Sequence, residues 1–127
     1  MDSLSPPETI PPLTLQTSAQ TARAYAALTC DENPIHLDAD FAARTAFGVP
    51  IAHGTMSLNL LLQAISATPG LSIGAGRLDL RFSAPVKVGQ TITASGTRCG
   101  DGSYAVSVST PEGQATLKGV FYPGNAP

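Results

Sequence analysis

The chain has 127 residues, a length typical of one domain with a hydrophobic core. Charged residues make up only 13% of it, about half the roughly 25% usual for globular domains, so we expect another subunit to cover part of the surface. The net charge of −2 and the scattered Lys and Arg residues exclude a nucleic-acid-binding face.

The N-terminal segment contains four prolines within its first twelve residues. We predict an extended segment over residues 1–12, followed by a single domain over residues 13–123 that opens with a short strand near Leu13–Gln16. The segment has no basic region ahead of an apolar stretch, so it is not predicted to be a signal peptide.

Two further observations favour a cytoplasmic protein. No apolar run is long enough for a membrane-spanning helix. The two cysteines, Cys30 and Cys99, form no CxxC pair, and isolated cysteines of this kind are predicted to be small buried apolar residues.

The first helix is predicted to begin after Ser18, which is a favourable N-cap residue. It should end near Cys30, because Asp31 and Asn33 favour turns and Pro34 pushes Asn33 out of helical geometry. One face of this helix would carry Ala19, Ala22, Tyr25, Ala26 and Thr29.

A long connection over residues 31–53 follows, with one helical turn expected at Ala39–Ala46. Its length indicates a functional loop rather than a linker. The second helix should begin near Gly54 and close before Pro69, and it is apolar around much of its circumference, which predicts a buried helix. Its apolar residues are Met56, Leu58, Leu60, Leu61, Leu62 and Ile65.

Everything after Gly70 is predicted to be strand and turn. The strands should cover Arg77–Phe82, Thr91–Ala94, Tyr104–Val108 and Thr116–Phe121. This order of elements predicts an α+β domain in which an antiparallel sheet wraps around one central helix.

The turn between the first helix and the long connection carries the first candidate chemistry. Pro34 stiffens the backbone, so the carboxylate of Asp31 and the imidazole of His36, five residues apart, can converge on one small molecule. A carboxylate and a histidine form an acid–base pair that exchanges protons near neutral pH. The alternative is that Asp31 only turns the chain and that His36 is merely exposed.

The start of the second helix carries the other candidate chemistry. The first N–H groups of a helix have no intrahelical partner, and the helix dipole favours negative charge there. Gly54, which follows His53, would let the carbonyl oxygen of a substrate approach these donors. The alternative is that Gly54 only permits tight packing at a helix start.

Together the two segments resemble the MaoC-like, (R)-specific enoyl-CoA hydratase family, whose fold is the hot-dog: a central helix wrapped by an antiparallel sheet. The resemblance is dense over residues 23–60, and the strand pattern continues it to the C-terminus. It is carried by Tyr25-Ala26-Ala27-Leu28, Asp31-x-Asn33-Pro34-Ile35-His36, Asp38, Phe41-Ala42 and Phe47-Gly48-x-Pro50-Ile51-Ala52-His53-Gly54.

The resemblance implies a role for each residue of the two motifs. Asp31 and His36 would hold one water, one accepting its proton and the other delivering a proton to the α-carbon. The N–H of Gly54 would hold the thioester carbonyl oxygen. Asn33 would shape the loop, and His53 would support the helix start rather than take part in the chemistry.

The resemblance also implies the reaction and its partners. The reaction would be the reversible hydration of trans-2-enoyl thioesters to (R)-3-hydroxyacyl thioesters, on coenzyme A or an acyl carrier protein, in a homodimer that needs no cofactor. Some members carry a hydroxyl on the central helix where this chain has Leu62. The nearest polar residues, Ser57 and Asn59, could orient His36 or line the acyl pocket, or could satisfy a helix carbonyl.

Three alternatives stay open at this point. The chain could be a dehydratase or cyclase acting on a carrier-bound 3-hydroxyacyl or polyketide intermediate. Asp31, His36 and His53 could hold a metal ion, although no fourth ligand is evident and we predict none. The chain could also be a non-catalytic hot-dog subunit, which the presence of both Asp31 and His36 disfavours.

Overall fold

A five-stranded antiparallel sheet packs against one helix in the computed structural model, which describes residues 6–74 and 76–124. The strands are ordered β1-β3-β4-β5-β2, and each neighbouring pair is antiparallel. This arrangement confirms the predicted α+β class. The elements are β1 (Thr9–Gln16), α1 (Ala19–Thr29), α2 (Pro34–Leu37), α3 (Ala39–Ala43), α4 (Gly54–Ser66), β2 (Arg77–Phe82), β3 (Thr91–Arg98), β4 (Tyr104–Ser109) and β5 (Ala115–Tyr122).

The first strand begins at Thr9, so the predicted start at Leu13 is wrong. Prolines were expected to keep this segment out of the sheet. Pro11 and Pro12 instead lie where the register with β3 shifts, between Ile10 and Leu13, in a strand at the edge of the sheet. Edge positions and irregularities are where a strand tolerates residues without an N–H. The division into residues 1–12 and 13–123 stays a prediction.

The central helix α4 begins and ends where the sequence predicts, but it is buried on one side only. Thr55, Asn59 and Gln63, spaced four residues apart, form an exposed face. The prediction of a helix buried on nearly all sides is therefore wrong within a single chain. The residues that α4 buries are Met56, Ser57, Leu60, Leu61, Ala64 and Ile65.

The long connection contains two short helices where one helical turn was expected. The unpredicted helix α2 starts because Asn33 accepts a hydrogen bond from the N–H of Ile35 (3.0 Å) and Pro34 occupies the first helical position. The helix α3 is shorter than the predicted Ala39–Ala46. Asp38 caps it by accepting hydrogen bonds from two backbone N–H groups.

Cys30 is exposed, so the prediction of a buried apolar residue is wrong there, and Cys99 is half-buried. Cys30 is the C-cap of α1 and has a left-handed backbone conformation, with φ of 58°. Such a residue ends a helix by turning the chain sharply, and here it leads directly into Asp31. None of the helices in the described part of the chain combines the length and apolar character that a membrane crossing requires.

Candidate active site

The end of α1 and the single turn of α2 bring Asp31 and His36 together. The Nε2 of His36 lies 3.7 Å from the Oδ2 of Asp31. This distance is too long for a direct hydrogen bond and leaves the two atoms able to share a third group, such as a water, between them. The side chain of His36 is 11% exposed and that of Asp31 is 52% exposed, so the pair faces solvent through the carboxylate.

A backbone carbonyl sets the orientation of the His36 ring. Its Nδ1 lies 2.8 Å from the carbonyl oxygen of Ile51, which can only accept a hydrogen bond. We therefore assign the hydrogen of the neutral ring to Nδ1. In this tautomer the free lone pair of the ring is on Nε2, which faces Asp31.

Two backbone hydrogen bonds join the two sequence motifs. The N–H of Ile51 donates to the carbonyl of Ile35 (3.0 Å), and the N–H of Ala52 donates to the carbonyl of Val86 (2.6 Å). The segment before α4 is thus held between α2 on one side and the chain that follows β2 on the other. This arrangement places His53 and Gly54 beside His36.

His53 is buried, with 2% exposure, and it stacks on His36. The ring centroids lie 3.9 Å apart, and the planes differ by 24°. The Nε2 of His53 lies 2.8 Å from the backbone carbonyl oxygen of Asp31. His53 occupies the N-cap position of α4, and its side chain makes no capping hydrogen bond. The expected support of the helix start stays a prediction.

Gly54 is exposed and occupies the first position of α4, where an N–H has no intrahelical partner. A Cβ at this position would meet only the ring of Phe82, at 3.6 Å, an ordinary contact distance. The chain's own packing therefore does not demand a glycine here, which argues against the tight-packing alternative. The absence of a side chain instead leaves the backbone open on the side of the cleft.

A cleft of about 360 Å³ lies in front of these groups. His36, His53 and Gly54 form its polar end. The side chain of Phe82, 56% exposed, forms part of its apolar wall. The remaining lining residues are Ile51, Ala52, Ser57, Ser83, Ala84, Pro85, Val86 and Thr116.

The two polar residues of α4 lie on different sides of the helix. Ser57 is buried beside the cleft, and its hydroxyl lies 3.3 Å from that of Thr116, which donates in turn to the carbonyl of Val108. Asn59 faces a separate groove, where it donates to the hydroxyl oxygen of Tyr25 (2.8 Å). Of the two candidates, only Ser57 borders the cleft.

Three contributors to the site carried no prediction of their role. No sequence pattern could single out the carbonyl of Ile51, because every residue has a backbone carbonyl. Phe82 was predicted only as the end of a strand. Tyr25, named in the motif, packs its ring against His53 with centroids 5.1 Å apart and donates a hydrogen bond to Thr55 (3.0 Å).

Asp31, His36 and His53 offer ligand atoms that all lie within 4.8 Å of one another, a spacing that a metal ion could use. The Nε2 of His53 must carry a hydrogen, however, because it faces the carbonyl oxygen of Asp31. Its Nδ1 is buried and has no hydrogen-bond partner among the described residues. The two nitrogens of an imidazole point in divergent directions, so with Nε2 directed at Asp31 the Nδ1 of His53 points away from that residue. Asp31 and His36 are then the two ligands left, fewer than a zinc site uses, so the hydrogen bonding disfavours the metal alternative.

The chain is similar to one known protein family and to curated relatives. The family model for the MaoC like domain matches residues 5–117. An (R)-specific enoyl-CoA hydratase from Aeromonas caviae is 45% identical over 78 residues, which are 60% of this chain and 58% of the relative. One from Rhodospirillum rubrum is 36% identical over 77 residues, 60% of this chain and 54% of the relative. These matches span little more than half the length of the two relatives.

Solved structures confirm the predicted hot-dog fold. An (R)-hydratase from A. caviae involved in PHA biosynthesis superposes with a TM-score of 0.77 at 29% identity, covering 97% of this chain and 99% of that one. An R-hydratase from Pseudomonas aeruginosa superposes with a TM-score of 0.76 at 26% identity, covering 97% of this chain and 84% of that one.

Proposed function

This chain belongs to the MaoC-like domain family, and we propose that it hydrates trans-2-enoyl thioesters, and dehydrates (R)-3-hydroxyacyl thioesters, with Asp31 and His36 as its acid–base pair. The observation that carries the proposal is the 3.7 Å separation between the Nε2 of His36 and the Oδ2 of Asp31. Of the two residues, His36 lines the apolar-walled cleft, and Asp31 lies beside it. The names of the similar hydratases supply the substrate class.

Hydration starts with the pair holding one proton, on the Nε2 of His36, and a water between the two groups. Asp31 accepts a proton from the water as the water oxygen attacks the β-carbon of the enoyl thioester. His36 then delivers its proton to the α-carbon. The proton on Asp31 passes to His36 to restore the pair, so the net reaction adds one water, and dehydration follows the reverse order.

The first turn of α4 stabilises the charge that develops on the substrate. Attack at the β-carbon moves an electron pair onto the thioester oxygen. The N–H of Gly54, exposed and without an intrahelical partner, is the donor placed to hold that oxygen. The apolar wall that includes Phe82 accepts the hydrocarbon part of the substrate.

The first experiment follows the loss of conjugated enoyl-thioester absorbance with crotonyl-CoA and purified protein. Asp31→Asn and His36→Ala should each lower kcat by about 10²- to 10⁴-fold, the range for loss of a general acid or base. Asp101→Asn is the matched control, since this exposed carboxylate lies in the turn before β4, outside the cleft, and should leave kcat unchanged. Wild-type activity that survives both site substitutions would refute the assignment of the pair.

A second candidate is dehydration of a carrier-bound 3-hydroxyacyl chain. The 38% identity, over 96 residues, to 3-hydroxyacyl-thioester dehydratase Z from Mycobacterium tuberculosis supports a 3-hydroxyacyl thioester as the substrate, and this name fits a carrier-bound thioester as well as a coenzyme A thioester. The same site serves both substrates, so the test is the same variant pair with a 3-hydroxyacyl group on acyl carrier protein. Turnover of the carrier-bound substrate with crotonyl-CoA inert would select this candidate.

We also propose a homodimer that joins the two sheets through β2. The sheet has two edges, β1 and β2. Two prolines and a register shift interrupt β1, whereas β2 pairs with β5 in unbroken register from Arg77 to Phe82. An uninterrupted edge without proline is the one suited to add a partner strand.

A further inference from the structure

We propose that His53 is a positioning residue, which holds Asp31 through a hydrogen bond and His36 through ring stacking. The proposal rests on the function proposed above, and it assigns work to a buried titratable side chain that the reaction itself does not use. His53 exchanges no proton with water or substrate in this scheme. It determines the distance and angle between the two groups that do.

The hydrogen bond acts on the main chain of Asp31. The carbonyl oxygen of Asp31 accepts from the Nε2–H of His53 at 2.8 Å, and the N–H of Asp31 donates to the carbonyl of Ala26 at 3.1 Å. The carboxylate itself is half exposed, and the backbone hydrogen bond that it accepts from the N–H of Asn33 is long, at 3.5 Å. The position of the carboxylate therefore depends on how firmly its backbone is held.

The stacking acts on the ring of His36. The hydrogen bond from Nδ1 to Ile51 fixes one atom of this ring but leaves the plane free to tilt about that atom. The face of His53, with centroids 3.9 Å apart and planes within 24°, removes this freedom. Tyr25 packs on His53 at 5.1 Å and keeps it in place.

Stability alone does not explain a histidine at this position. The Nδ1 of His53 is buried and has no hydrogen-bond partner among the described residues. A buried polar atom without a partner lowers the stability of the fold, and an apolar ring of similar size would avoid that cost. What the histidine provides in return is the hydrogen bond that its Nε2 donates to the carbonyl of Asp31.

Two variants separate the two contacts. His53→Phe keeps a ring face for stacking and removes the donor, whereas His53→Gln keeps an N–H donor near the position of Nε2 and removes the ring. We expect each to lower kcat for crotonyl-CoA about tenfold or more, with KM changed less than about threefold, because the loss is one of geometry at the reacting groups. In an Asp31→Asn background, His53→Phe should cause no further loss.

Tyr104→Phe is the matched control for loss of a buried hydrogen bond. Its hydroxyl donates to the carbonyl of Pro7, and it does not line the cleft. Thermal unfolding of all variants is measured beside kcat. Variants of His53 that unfold at a lower temperature but keep wild-type kcat would overturn the proposal, since the role would then be structural only.

A readout independent of turnover separates failure of this proposal from failure of the proposed function. The ring-current shift of the His36 Cε1 proton in NMR spectra should be lost in His53→Gln and largely kept in His53→Phe. If the wild type turns over neither thioester but the three proteins differ in this shift as expected, the proposed function fails and the placement of His36 by His53 stands. If the shift is the same in all three proteins, the placement fails.

Discussion

At the scale of single residues, the candidate site is held mostly by main-chain partners. The carbonyl of Ile51 orients His36, the carbonyl of Asp31 accepts from His53, and a main-chain N–H is the expected oxyanion donor. Main-chain groups are present at every position, so their alignment depends on where the chain runs. This explains why a motif of a few side chains is informative only when a specific backbone path accompanies it.

Gly54→Ala tests whether the backbone of α4 must stay open. The added Cβ would meet only the ring of Phe82, at 3.6 Å, so the melting temperature should change by less than about 3 °C. We expect kcat/KM to fall about tenfold or more, because the methyl group stands between the thioester and its N–H donor.

Asn59→Ala is the control for this substitution, since Asn59 lies on the same helix but faces the groove by Tyr25. It should leave kcat/KM within about threefold of the wild type, as expected for a side chain outside the cleft. A Gly54→Ala protein with wild-type kinetics would exclude the oxyanion role. A large kinetic loss in Asn59→Ala would mean that substrate uses the groove as well.

At the scale of elements, the end of α1 leads through its C-cap, Cys30, directly into Asp31, one residue of the proposed acid–base pair. Ser18 and Thr21 form a capping box at its start, and Cys30 turns the chain at its end so that Asp31 leaves the helix toward α2. The two ends of the helix have different effects. The N-terminal cap stabilises the helix, and the C-terminal turn sets the direction of the carboxylate.

Ser18→Ala separates these two contributions. Loss of the cap should lower the free energy of unfolding by about 1 kcal/mol, a typical N-cap effect, with kcat unchanged because the C-terminal turn is intact. Urea denaturation measures the first quantity and the crotonyl-CoA assay the second. A drop in kcat without a drop in stability would mean that the start of α1 influences the site directly.

At the scale of the whole molecule, the single chain leaves apolar surface that a partner could cover. Phe82, at the end of the edge strand β2, is 56% exposed, and the central helix keeps an open face. The low content of charged residues agrees with such covering. The proposed homodimer therefore has a specific edge, and this edge ends beside the cleft.

Light scattering during size-exclusion chromatography tests the assembly. The wild type should have twice the 13.0 kDa mass of one chain. Phe82→Glu should shift the population toward monomer, because a charge at a strand edge opposes pairing between sheets. Phe41→Glu, an exposed aromatic on α3 rather than on the sheet edge, is the matched control and should stay dimeric. A wild type of 13.0 kDa would refute the dimer.

The sequence by itself determined the features that depend on neighbours along the chain. The cap at Ser18, the end of α1 near Cys30, the bounds of α4 and the presence of four C-terminal strands follow from local propensity, turn residues and periodicity. The third strand, β3, continues to Arg98, beyond the predicted end at Ala94. The pairing of Asp31 with His36 was also predictable, because Pro34 stiffens the five-residue path between them. These preferences act over a few residues, so the sequence displays them directly.

Only the tertiary structure decided what depends on residues distant in the chain. It placed Ser57 at the cleft and Asn59 away from it, although only Leu58 lies between them in the sequence. Successive helix residues point about 100° apart, so residues two positions apart point to nearly opposite sides, and the sheet covers one side only. It drew Thr9 into an edge strand despite two prolines. It also stacked His53 on His36, since backbone hydrogen bonds from Ile51 and Ala52 join segments that are distant in the sequence.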